Sequence, residues 1–142
     1  MRHRRAEVRR HRAHAAPPRP ANDRGSATVQ IVVLMPALFL LMFTGMQAAL
    51  IYHARTVAIA AAQEGARTAA AQYSSAAAGD VAAEQFIASA GGEDVLRGVT
   101  VTATRDATTA SVVVVGTTMS VVPGWTPQIV QSASAPVERV TG

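Results

Sequence analysis

The chain has 142 residues, enough for one small domain, and it has no cysteine, which excludes disulfides, thiolate metal sites, a cysteine nucleophile and a lipidated lipoprotein cysteine. Residues 1–24 hold eight of the thirteen arginines against two acidic residues, a local charge of +6, whereas residues 25–142 carry a charge of −2. The basic pI therefore belongs to the N-terminal tail, and it does not indicate a nucleic-acid-binding domain.

The N-terminal tail, residues 1–25, is rich in arginine and proline and poor in apolar side chains. This composition predicts a disordered leader. Basic residues beside a membrane helix attract anionic lipid, each contributing about 1 kcal/mol near the surface. We favour this topogenic role over nucleic-acid or metal binding by the tail.

An almost unbroken apolar run, residues 29–52, follows the tail, and no charged residue lies between Arg24 and Arg55. As a helix it would extend about 36 Å, enough to cross a hydrocarbon core of about 30 Å. The alternative is a cleavable signal peptide, but the run is longer than the usual apolar region of one. We expect a single transmembrane span with the arginine-rich end in the cytoplasm and the C-terminal domain outside the cell membrane.

Three residues interrupt the apolar character of this run. Pro36 removes one backbone donor, which membrane helices tolerate. Gln30 and Gln47 are polar, and each either lies near a membrane surface or donates a hydrogen bond to a neighbouring helix. For Gln47 the first interpretation is favoured.

The helix is expected to continue outside the membrane to residue 73, so that the long helix covers 26–73. Small residues recur along it at a spacing of four, which places them on adjacent rows of one face: Ala54, Ala58, Ala62, Ala66 and Ala70, with Ala61, Gly65 and Ala69 beside them. Such rows let another helix approach closely, and Ala58, Ala62, Gly65, Ala66 and Ala69 are the candidate packing residues. Helix propensity combined with a compositional bias toward alanine is the alternative explanation.

The remaining residues, 74–142, are expected to form a small extracytoplasmic head. Asp80 is a candidate cap for a short helix over 81–90, which Gly91 and Gly92 end. Residues 98–104 alternate valine or alanine with threonine, and residues 110–115 read ASVVVV; together they predict an antiparallel hairpin, to which 129–135 adds a third strand in the alternative arrangement. The fold class is therefore α+β: a long N-terminal transmembrane helix extended outside the membrane, a short helix, and a hairpin or three-stranded sheet.

The exported region offers few groups for chemistry. Residues 56–142 contain neither histidine nor cysteine, which removes Ser-His-Asp triads, Cys-His pairs and the usual zinc sites from that region. The neighbouring acids Glu93 and Asp94 follow two glycines, so we interpret them as part of a solvated loop. We expect no enzyme, no catalytic or metal site, no cofactor, no small-molecule substrate and no nucleic-acid partner.

Four sequence elements, taken in order, resemble those of a known family. They are RGSATVQ at the junction, the position of Pro36, HARTVAIAAAQEGARTAAA over 53–71 and SASAPVERV over 132–140. Together they resemble the TadE-like proteins of the actinobacterial type. The resemblance implies a minor pseudopilin of a tight-adherence (Flp/Tad) pilus system, whose partners are the lipid bilayer, a prepilin peptidase and other pilin-like or Tad assembly subunits.

The resemblance also implies a processing site. A prepilin peptidase would cut after Gly25 and leave Ser26 as the new N-terminus. Prepilins usually carry glutamate at the fifth mature position, where this chain has Gln30. That carboxylate offsets the buried N-terminal ammonium in a filament, and an amide can accept its hydrogen bond without neutralising its charge.

Two functions are carried forward from the sequence. The first is a structural pilin-like subunit that inserts, is processed at Gly25 and packs its helix against partner helices. The second is an unprocessed single-pass scaffold whose exported head binds an assembly partner. A secreted effector with a cleaved signal is a weaker third possibility, because the small-x-small sites near Ala58 lie beyond the apolar run.

Overall fold

The computed structural model describes residues 23–138. Its elements are α1 (Asp23–Ala70), α2 (Ala76–Ser89), a 3₁₀ turn (Gly92–Asp94), β1 (Arg97–Arg105), β2 (Thr109–Thr117) and β3 (Gln128–Pro136). The three strands form one antiparallel sheet in the order β1-β2-β3. This arrangement confirms the α+β prediction, with the three-stranded sheet in place of the simple hairpin.

The contacts within the chain divide it into two units at Pro36. In the first unit the structure describes the start of α1, and Pro36 itself lies inside that helix. The second unit begins at Ala37 and contains the remainder of α1, α2 and the sheet. The helix begins and ends earlier than the expected 26–73. The predicted disorder of the leader concerns residues that lie, up to position 22, outside the described part of the chain.

The C-terminal end of α1 is held by an arginine from the sheet. Nη1 of Arg105 donates hydrogen bonds to the carbonyl oxygens of Ala69 and Ala71, the latter at 2.9 Å. Carbonyl groups in the last turn of a helix have no partner within the helix, and they carry its negative dipole end. The arginine therefore satisfies these acceptors, and the chain leaves the helix through Tyr73, whose φ is 61°.

Helix α2 is capped by Ser75 rather than by the expected Asp80. The Ala78 N–H donates to the Ser75 hydroxyl oxygen at 3.3 Å, and Ser75 has the extended backbone typical of a cap. The alanines after Ser75 favour helix, so the helix starts before Asp80 and includes it. Asp80 instead accepts a hydrogen bond from the Ala103 N–H at 2.6 Å. Within residues 23–138, β1 pairs with a strand only on its β2 side, so this carboxylate covers a backbone donor at the open edge of the sheet.

The hydrophobic core lies where α1 and α2 meet one face of the sheet. Burial alternates along β2, as expected for a strand with one face inward. The largest fully buried side chains come from the sheet and the turn before it: Leu96, Val112, Val114 and Ile129. Helix α1 supplies mostly alanine to the same cluster. The core therefore combines small helix side chains with branched sheet side chains, and this lets the helices lie close to the sheet.

The two helices approach each other closely at two glycines. A Cβ added to Gly65 of α1 would lie 2.7 Å from the carbonyl oxygen of Gly79 in α2 and 3.0 Å from Cβ of Ala83. A Cβ at Gly79 would lie 2.8 Å from the Gly65 carbonyl oxygen. Neither position has room for a side chain, so these glycines set the distance between the two helices.

The turn between β1 and β2 is organised by Asp106. Its carboxylate accepts hydrogen bonds from the N–H groups of Thr108 and Thr109, both at 2.7 Å, and from the Thr108 hydroxyl. The backbone hydrogen bond from Thr108 contributes most to lowering the pKa of Asp106 below its ordinary value, followed by that from Thr109. The sequence-predicted turn is therefore an aspartate-centred one.

Candidate functional site

The first functional feature is a stretch of α1 whose apolar side chains are all exposed. Every residue over 29–46 is exposed, including the large side chains Leu40 and Leu41, which are 71% and 73% exposed. Within the described residues, one helix is long and apolar enough to cross a membrane. From Gln47 onward the same helix begins to be covered by the rest of the chain. The uncovered part is therefore shorter than the apolar run of 29–52.

The predicted processing junction lies near the start of the described helix. Gly25 and Ser26 are helical in backbone conformation, within α1. Gln30 follows on the same helix with its side chain exposed. Gly25 and Ser26 therefore precede the apolar run of 29–52, and Gln30 is the second residue of that run.

The small-residue rows of α1 pack against other elements of the same chain. Ala58, Ala62, Ala66 and Ala69 are at most 1% exposed, and Gly65 is buried against α2. Their neighbours in the core come from α2 and the sheet. In this structure the helix that approaches the small residues closely is α2, with the sheet beside it.

Gln47 has a third role that neither interpretation of the sequence included. Its side chain is 3% exposed and contacts the loop after β2. Its Oε1 accepts hydrogen bonds from the Val121 N–H at 2.8 Å and the Ser120 hydroxyl at 3.2 Å, while its Nε2 donates to the Met119 carbonyl oxygen at 3.4 Å. The amide in the apolar run is thus satisfied within the chain.

The sequence predicts a break in the chain over 123–127, but it did not reveal that this loop is attached to Gln47. We name residues 118–127 the β2–β3 loop; it carries Val122 and Trp125, which are 41% and 48% exposed. Two signals pointed to it: the chain's single tryptophan lies there, and no charged residue occurs between Asp106 and Glu138.

Three acidic residues of the head, Glu84, Glu93 and Asp94, are open to solvent. Glu93 and Asp94 are exposed in the 3₁₀ turn, and Glu84 is exposed on α2. Glu84 and Glu93 line a shallow cleft of about 280 Å³ together with apolar side chains. Across residues 23–138 there is no group of three or more histidine, aspartate or glutamate side chains that could hold a metal ion.

Comparison with protein-family models gives a match for part of the chain. Residues 25–67 match the family model described as TadE-like protein. The matched segment contains the junction at Gly25, the exposed apolar stretch and the buried small-residue rows. No curated protein and no solved structure matches the chain. The match covers most of α1 and does not extend to α2 or the sheet, so it shows that this helix is similar to the corresponding segment of TadE-like proteins.

Proposed function

We propose that the chain is a pilin-like membrane subunit of a tight-adherence (Flp/Tad) pilus assembly or secretion system. The observation that carries this proposal is the coincidence of the family match, residues 25–67, with a helix whose side chains over 29–46 are all apolar or uncharged and all exposed. A helix of this kind requires a bilayer or the apolar helices of neighbouring subunits to cover it.

The orientation follows from the charges on either side of the apolar stretch. The local charge of +6 over residues 1–24 favours a cytoplasmic N-terminus, because arginines next to a span stay on the cytoplasmic side. The sheet and α2 are then extracytoplasmic. In this proposal the role is structural rather than catalytic, and its partners are the bilayer, a prepilin peptidase and other pilin-like or Tad subunits.

Within this role, the small-residue rows seat the chain's own head. Ala62, Gly65 and Ala66 are buried beneath α2 and the sheet, so they fix the head to the helix. Partner helices then contact the exposed stretch over 29–46. In this assignment α2 of the same chain, and not a helix of a neighbouring subunit, packs against the small residues of α1.

Gln30 favours a second candidate function, a subunit that does not pack along a filament. An amide at the fifth mature position leaves the ammonium of a processed N-terminus without a counter-charge in an apolar filament core, which is costly. A subunit that acts at a filament tip, in initiation, or as an unprocessed single-pass scaffold avoids that cost. The actinobacterial subtype of the family, favoured by the order of the four sequence elements, stays part of this proposal.

The experiment that separates these candidates measures the N-terminus. The full chain with a C-terminal tag is isolated from the membrane fraction of cells that contain a Tad-type prepilin peptidase, and its intact mass is determined. We expect a chain that starts at Ser26. The matched control is Gly25→Val, which should retain the leader, because the cut depends on the glycine in prepilins generally. A wild-type membrane chain that keeps residues 1–25 would contradict processing and favour the scaffold.

A further inference from the structure

The β2–β3 loop, residues 118–127, is a closed structure with an apolar tip. The Thr118 N–H donates to the Pro127 carbonyl oxygen at 3.1 Å, which joins the two ends of the loop. Within it the Trp125 N–H donates to the Val122 carbonyl oxygen at 3.3 Å, which forms a tight turn at the tip. The tip therefore presents Val122 and Trp125 in a fixed arrangement.

The loop is fastened to α1 beside the exposed apolar stretch. Gln47 holds its backbone through the hydrogen bonds described above, and the Thr118 hydroxyl donates to the Leu50 carbonyl oxygen at 3.4 Å. An apolar cleft of about 200 Å³ lies between helix and loop, and it is lined by Thr44, Gln47, Ala48, Ile51, Val122 and Trp125. The loop tip thus lies at the level at which the uncovered part of α1 ends.

The chemistry of the tip matches a membrane surface. Val122 and Trp125 are 41% and 48% exposed although they are apolar. Tryptophan is enriched where one end of the ring is apolar and the other is wet, as in the headgroup region of a bilayer. The loop has no charged residue, so nothing in it opposes partial burial beside lipid chains. Tyr52, 75% exposed on α1 just beyond this level, supplies a second aromatic ring.

We propose that the β2–β3 loop is a second membrane contact, which inserts Trp125 and Val122 into the headgroup region of the leaflet from which α1 emerges. The inference rests on the proposed function in one respect, that α1 spans a bilayer. Lipid is the occupant because the loop tip continues the exposed apolar surface of the helix. The bilayer-spanning part of α1 then ends near residue 46, and its roughly 18 residues extend about 27 Å, close to the hydrocarbon thickness.

This contact fixes the head relative to the membrane. A single span leaves the domain it carries free to tilt and turn, whereas a loop that binds the same leaflet restrains it. The loop reaches α1 through Gln47, so the anchor and the head form one structure. The orientation of the exported sheet is then set before any partner subunit binds.

The experiment uses Trp125 itself, the only tryptophan of the chain, as the reporter. The full chain is reconstituted into phosphatidylcholine–phosphatidylglycerol vesicles, and tryptophan emission is measured with acrylamide in the water and with lipids brominated along their chains. We expect emission shifted to the blue of free tryptophan, weak quenching by acrylamide and loss of emission in brominated vesicles. The control is the double variant Trp125→Phe/Tyr73→Trp, which moves the reporter to a position 95% exposed near the end of α1. That reporter should be quenched by acrylamide and not by brominated lipid.

Two results overturn the proposal. If acrylamide quenches Trp125 strongly and brominated lipid does not reduce its emission, the loop lies in water. Blue-shifted emission that neither quencher reduces places it under a second copy of the chain. An alkaline wash of the same vesicles separates this test from the proposed function: protein released by the wash has no spanning helix, whereas retained protein with an aqueous Trp125 contradicts the loop contact alone.

Discussion

Replacing Gln47 by leucine tests whether the amide holds the β2–β3 loop to α1. The side chain is 3% exposed, and leucine has only one side-chain heavy atom fewer than glutamine, so Gln47→Leu removes the hydrogen bonds without opening a large cavity. The Val121 N–H and the Met119 carbonyl oxygen lose their amide partner. We therefore expect the variant to release the loop while the sheet and α2 keep their fold.

The expected magnitude follows from the hydrogen bonds that are lost. The bond from the Val121 N–H to Gln47 Oε1, at 2.8 Å, is short, while the bond to Met119 at 3.4 Å is long and weak. A net hydrogen bond contributes about 1 kcal/mol, and a buried donor left without a partner costs about 1–3 kcal/mol. Apolar burial of the leucine offsets part of this, so we expect the free energy of opening the loop to fall by about 2 kcal/mol.

Hydrogen exchange of the Val121 amide measures this change directly, in the full chain in detergent micelles or vesicles. A fall of about 2 kcal/mol corresponds to exchange about 30-fold faster at that amide. Amides of β2 near Val112 should change much less, because their protection depends on the core. The matched control is Gln63→Leu on the same helix, where the side chain is exposed and the expected change is within about 0.5 kcal/mol. Equal protection of Val121 in wild type and Gln47→Leu would refute the reasoning.

Two further predictions concern the packing of the head. In urea unfolding, Gly65→Ala should destabilise the head by about 1–3 kcal/mol despite the better helix propensity of alanine, because the new Cβ would lie 2.7 Å from a backbone oxygen. The control is Gly45→Ala, which should cause no loss of stability, because no atom lies within 4 Å of the added Cβ. Equal effects at the two positions would contradict the close contact at Gly65. In the same assay Asp80→Ala should lower the free energy of unfolding by about 1–3 kcal/mol, because it leaves the Ala103 N–H without its acceptor. Asp80→Asn keeps an acceptor oxygen and should lower it by less. A larger loss for Asp80→Asn than for Asp80→Ala would exclude the edge hydrogen bond.

The elements of the fold were predictable because each has a local signal. The alternation of valine and alanine with threonine over 98–104 indicates a strand with one inward face, and the valine run within 110–115 indicates a second strand; β1 and β2 contain those segments. The cap of α2 was assigned to the wrong residue because Ser75 and Asp80 both suit a cap. The alanines after Ser75 favour the earlier start, and the group that Asp80 binds instead, the Ala103 N–H, lies in a strand far along the chain.

The candidate site was less predictable, because its features depend on tertiary contacts. A row of small residues at a spacing of four shows that something packs closely, but the same row fits a helix of another chain or α2 of this one. Likewise the sequence shows that Gln47 is a polar residue in an apolar run, but it does not show which group Gln47 binds. The residues that bind it, near Val121, lie more than 70 positions away, and no local pattern connects them.

The burial of the small-residue face limits where neighbouring subunits can contact α1. Beyond Gln47 the inward face is filled by α2 and the sheet, so the face left open carries Arg55, Ile59, Gln63 and Arg67, a mostly polar row at a spacing of four. Such a row does not let helices approach as closely as alanines and glycines do. In the proposed function, close helix packing between subunits is therefore restricted to 29–46, the stretch that would also cross the bilayer. Under that proposal the chain would leave the membrane for a filament only by exchanging lipid for neighbouring helices along that one segment.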